Sequence, residues 1–185
     1  VAGLSTSQLN KLGTTDVAAL TTTEVGALTT AQLNGLDSTT LGSLTTTQVS
    51  SLSTTQVAGL TATTLGKLGT TDIAALTTTE IGALTTAQLN AVDSTTLGAL
   101  TTTQVTSLST TQVAGLSTTA LNKLETTDLV ALTTTEVNAL TTAQLNGLDS
   151  TTLGSLTTTQ VTSLSTTQVA GLTATTLGKL GTTDI

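Results

Sequence analysis

The 185-residue chain contains no Cys, His, Met, Pro, Phe, Trp or Tyr, and its only cations are four Lys. Each absence removes a class of chemistry. Without His or Cys there is no usual general base near neutrality, no thiolate and no good zinc or copper ligand. Without aromatic rings there is no stacking platform for bases, sugars or quaternary amines. Four isolated Lys in a chain of net charge −7 are too few to release phosphate counterions, which argues against nucleic acid as a partner. An anionic membrane surface is disfavoured for the same reason. No apolar run approaches the roughly 18–20 residues of a membrane span, so membrane insertion is not expected. The lack of Cys leaves the redox compartment open. The expectation is a protein that is not an enzyme, with no catalytic, cofactor or metal site.

Two residue types dominate what remains: 55 Thr and 33 Leu make up nearly half the chain. They recur with a period of eight. Cut every eight residues, the sequence reads VAGLSTSQ, LNKLGTTD, VAALTTTE, VGALTTAQ and onward through 23 octads. Position 1 is always Val, Leu or Ile, and position 4 is Leu everywhere except Val92. Positions 2 and 3 are mostly small or Asn, position 5 is Ser, Thr, Asp or Gly apart from Glu125, and position 8 is mostly Gln, Glu or Asp. A longer period of seven octads marks cassettes 9–64, 65–120 and 121–176, with Lys11, Lys67, Lys123 and Lys179 in register. Such self-similarity is read as a solenoid, in which one unit cannot bury its apolar face alone. Residues 1–185 are expected to form a single repeat array. Solenoids need atypical terminal units, and neither end here departs from the pattern, so a segment of a longer array is expected.

A continuous α-helix cannot carry this period. Eight residues at about 100° each leave an offset of about 80° per octad, so the aliphatic pair would spiral around the axis. The backbone must therefore break once per octad. Position 5 draws on the residues favoured at a helix N-cap, and Gln or Glu three residues later completes a capping box. In Leu20-Thr21-Thr22-Thr23-Glu24-Val25 the flanking aliphatics also form a hydrophobic staple. The Gly, Ala and Asn at positions 2 and 3 suit a left-handed residue at the helix end. The fold class expected is a mainly α repeat solenoid, one short capped helical turn per octad around an aliphatic interior. The alternative is a β-solenoid with stacked Thr and Gln ladders, since Thr and Val favour strands.

Few side chains offer a binding site. Asp37-Ser38-Thr39-Thr40 and its copies could give oxygens to Ca²⁺, which takes six to eight. The structural reading prevails: Asp at position 5 is an N-cap, and Asp16 and its copies sit at the third helical position. The Lys series reads as solvated links paired with carboxylates on neighbouring turns, contributing little. Glu125 replaces the Gly of positions 13, 69 and 181 and reads as neutral variation at a tolerant cap.

The octad in Leu28-Thr29-Thr30-Ala31-Gln32-Leu33 and Leu108-Ser109-Thr110-Thr111-Gln112-Val113-Ala114 resembles repeat tracts of giant secreted bacterial surface proteins, among them adhesins and surface-layer or fibre-forming proteins. The resemblance implies an extracellular or cell-surface location and a stalk or self-assembling fibre, with copies of itself as partners. The calcium-binding nonapeptides that accompany many such proteins do not occur here. Two other roles fit the composition: an ice- or surface-binding Thr array, and a spacer carrying O-glycans.

Overall fold

The computed structural model describes residues 1–180; Gly181 and Asp184, the last members of their cassette series, lie outside the described residues. Twenty-two helices of four to six residues run from Thr6–Leu9 to Ala174–Leu177, each beginning eight residues after the last, among the described residues. No strand occurs among them. The Thr-rich stretches that look extended by propensity are instead a cap followed by a helical turn, as in Thr45 and the helix Thr46–Val49. Local hydrogen bonds and burial outweigh a strand preference of at most about 1 kcal/mol.

The break falls at position 5. Thr29 has extended dihedrals, φ −74° and ψ 157°. Its Oγ1 accepts from Gln32 N at 3.1 Å, and Gln32 Oε1 accepts from Thr29 N at 2.8 Å. Two otherwise orphaned amides of the helix start are thereby satisfied. The helix then buries position 1 and ends when Leu at position 4 donates its N–H back three residues, as Leu28 does to Val25 O at 3.1 Å.

One expectation fails at these ends. No described residue has positive φ, so the small residues at positions 2 and 3 do not serve as left-handed caps. The three-residue bond closes the turn, and the following Leu swings extended, as Leu36 does at φ −67° and ψ 140°. A left-handed residue has nothing left to do.

The helices gather into two compact units, Val1–Leu100 and one that begins at Thr101. In the first, Thr54–Ala58 packs against Thr30–Gly35 on one side and Thr78–Ala83 on the other. In the second, Thr134–Ala139 packs against Thr110–Gly115 and Thr158–Thr162. These partners are third neighbours along the chain, so three octads complete one coil and the next coil stacks on it. The aliphatic pairs line the interior: Val25 and Leu33 are 0% exposed, and Leu28 and Leu36 are 4% and 2%. Each such side chain contributes on the order of 1.5–3 kcal/mol by leaving water. Each unit is a helical repeat solenoid with an aliphatic core.

Candidate functional site

The same Gln that closes each capping box has a second task. Gln side chains at position 8 are buried, except Gln8 in the opening octad. Their Oε1 faces the cap of their own helix, which leaves Nε2 to point at the coil before. Gln56 Nε2 donates to Val25 O at 3.0 Å and Leu28 O at 2.8 Å. Gln88 repeats this with Val57 O and Leu60 O at 3.0 and 2.6 Å. In the second unit Gln144 reaches Val113 O and Leu116 O, and Gln168 reaches Val137 O and Leu140 O. The position-4 carbonyl is freed by the break between helices, and burial makes an unpaired carbonyl costly, whereas the position-1 carbonyl also accepts from the Leu three residues on. One amide thus serves the start of its own helix and the end of the fourth helix before it.

Asn at position 2 forms a second set of links. Asn34 Nδ2 donates to Gly59 O at 2.8 Å while its Oδ1 accepts from Thr61 N at 2.9 Å. Asn10, Asn122 and Asn146 make the same two-bond bracket to the coil that follows. Beside each bracket the coils touch closely. A Cβ on Gly59 would lie 2.5 Å from Thr30 Cγ2, and one on Gly171 would lie 2.4 Å from Thr142 Cγ2. Glycine at position 3 is required there by space between coils rather than by its own dihedrals. The sequence carries this signal: every Asn but Asn138 is answered by a Gly at position 3 of the octad three further on.

Lys67 and Lys179 lie near the carboxylates of Asp37 and Asp149 and lower them slightly, and they also make a bond that the sequence does not suggest. Lys67 Nζ donates to Leu36 O and Lys179 Nζ to Leu148 O, each at 2.6 Å. They take the position-4 carbonyl that Gln takes elsewhere, because the octad three later ends in Thr, whose hydroxyl is too short to span the gap. The exposed caps behave as read from sequence. Asp37 Oδ1 accepts from Thr40 N at 2.8 Å and Asp149 Oδ1 from Thr152 N at 2.8 Å, and these bonds hold both carboxyls below the usual Asp range. Thr21 does the same for Glu24 through its N–H and hydroxyl. Asp16 accepts from Gly13 N at 3.3 Å. Glu125 is an N-cap without a side-chain bond.

Acids buried at position 8 are different. Burial pushes the carboxyls of Asp72 and Asp128 up, in the second case against a 3.1 Å bond from Thr102 Oγ1. Among the described residues no three acidic side chains gather into a metal-binding group, and no helix is long and apolar enough to cross a membrane. A depression of about 300 Å³ in the first unit, lined by Ala62, Gly66, Lys67, Ala91 and Asp93, brings together no further ionisable group.

The segment Ala27-Leu28-Thr29-Thr30-Ala31-Gln32 therefore holds a staple residue, an N-cap, a helix start and the inter-coil amide in six residues. The model of the ALTTAQ repeat matches residues 1–30, 25–62, 65–102 and 121–158. The chain belongs to the ALTTAQ repeat family. No curated protein matches it. The family's six-letter signature recurs intact at 83–88 and 139–144, and its Gln is the residue whose amide joins successive coils. As an ALTTAQ repeat tract, the chain is a structural repeat region.

Proposed function

We propose that this ALTTAQ tract is a non-catalytic structural segment of an extracellular stalk, self-assembling fibre or surface layer. The observation that carries the reading is the Gln and Asn linkage, in which donors of one coil meet acceptors freed by another. Such a scheme adds coils without new chemistry, so length is set by copy number. Thr at positions 6 and 7 lies on the outside, as at Thr46, Thr47, Thr54 and Thr55, and only 8% of residues are charged. Little charge repulsion then opposes side-by-side packing, and copies of the chain are its partners, laterally or end to end. Electron microscopy of material from the native source tests this: filaments or ordered layers are expected, and dispersed compact monomers would refute it.

The exposed Thr pairs favour one further reading, a surface that matches an ordered lattice such as ice. An ice-recrystallisation assay distinguishes it, since a stalk leaves crystal growth unchanged.

A further inference from the structure

Two octads in the described chain break the amide linkage in the same way. Glu80 and Glu136 occupy position 8, are 3% and 5% exposed, and each leaves Oε1 buried with no hydrogen-bond partner. Their other oxygens do what a Gln Oε1 does. Thr77 N donates to Glu80 Oε2 at 2.5 Å, and Thr133 N donates to Glu136 Oε2 at 2.7 Å. Oε1 is thus left in the role of Nε2. By the spacing of Gln56 to Val25 and Leu28, that role faces the carbonyls of Val49 and Leu52 for Glu80, and of Val105 and Leu108 for Glu136. An ionised carboxylate has only acceptors to offer them. A neutral carboxylic acid carries one O–H donor and has the shape of the Gln it replaces.

We propose that Glu80 and Glu136 are acid-operated clasps: each takes up a proton on Oε1, donates it to the facing position-4 carbonyl, and so tightens the solenoid as its surroundings acidify. The proton comes from solvent and no other bond is made or broken. The helices packed against Thr78–Ala83 and Thr134–Ala139 are Thr54–Ala58, Thr110–Gly115 and Thr158–Thr162, and none carries an ionisable side chain. The octads that precede them in sequence end in Asp72 and Asp128, the second with Glu125 close to it. All of these are acids. Burial favours the neutral form at Asp72 and Asp128, the buried Asp residues of position 8.

The test compares the wild-type chain with the double variant Glu80→Gln/Glu136→Gln, which installs the missing donors permanently. Urea unfolding is followed between about pH 7.5 and about pH 4.5, above the range where ordinary exposed Asp titrates. The unfolding equilibrium constant of the wild type is expected to fall about tenfold per site relative to the variant on acidification, the size of one net hydrogen bond. Infrared spectra should show the carbonyl stretch of a neutral acid at the lower pH in the wild type and a weaker one in the variant. Parallel pH profiles would overturn the proposal, as would two carboxylates that stay ionised throughout. If sodium, potassium or calcium chloride at pH 7.5 tightens the wild type but not the variant beyond the response to ionic strength, the clasp takes a cation and the proton assignment falls.

Discussion

Gln56→Leu removes two functions at one buried position, and their costs can be worked separately. The side chain is 4% exposed, so a Leu of similar volume leaves the packing nearly intact. On the cap side, Ser53 N loses its acceptor at 2.8 Å, a loss of about 1 kcal/mol for a helix start. On the inter-coil side, Leu28 O loses its donor while still buried, which costs about 1–3 kcal/mol. Val25 O suffers less, because Leu28 N still donates to it at 3.1 Å. The sum is a destabilisation of about 2–4 kcal/mol. Gln8 provides the control, since it is exposed and its side chain is bonded only to Ser5. Gln8→Leu therefore removes the cap alone. Urea unfolding followed by circular dichroism at the helical band should place the Gln56→Leu midpoint about 1–2 M below wild type, taking a slope of about 2 kcal/mol per molar urea. Gln8→Leu should shift it far less. Equal shifts would mean that the capping box is the whole role of position 8, and the inter-coil amide would carry no weight.

Other substitutions probe the same scheme. Gly59→Ala drives a Cβ to 2.5 Å from Thr30 Cγ2 and should lower the thermal midpoint, whereas Gly82→Ala meets nothing within 4 Å and should raise stability by about 0.5–1 kcal/mol through helix propensity. The same sign for both would show that coils do not approach as closely as drawn. Leu33→Ala empties a fully buried position and should cost about 2–5 kcal/mol, read from the same urea titration; a loss under about 1 kcal/mol would deny a shared aliphatic interior. For Asp37 and Asp149 the folded carboxyls lie below their unfolded values. Their contribution is therefore present above about pH 3.9 and is lost as pH falls through the lowered folded values. The variant Asp37→Asn/Asp149→Asn keeps a capping oxygen without the charge and should show a flatter stability profile in that acid window; an unchanged profile would remove the caps from the pH response.

What can be read from the sequence, and what cannot, divides by distance along the chain. The capping box runs only from Thr21 to Glu24, and its chemistry is local: a hydroxyl, a carboxylate or amide, and two amides that have no other partner. Its repetition in register is enough to set the helical break and the inward face of Val25, Leu28, Leu33 and Leu36. The glycines mislead because the local menu for a small residue after a helix is dominated by left-handed caps. Gly59 is small on account of Thr30, which belongs to the coil before, and no local rule reports that. The amide of Gln56 escapes for the same reason. Its partners, Val25 and Leu28, lie a full coil back, a separation set by the three octads in a coil, and the octad itself does not state that number. One inference recovers it. A capping box is served equally well by Glu, yet Gln outnumbers Glu and Asp at position 8. A residue whose acceptor is spent on its own helix, and which is still required to be a donor, must be giving that hydrogen to something outside the octad. In an aliphatic interior the acceptors that need one are the carbonyls released where another helix ends. A break in every octad thus creates both the need and the means of joining coils, which is why the eight-residue period can be extended without a change of design.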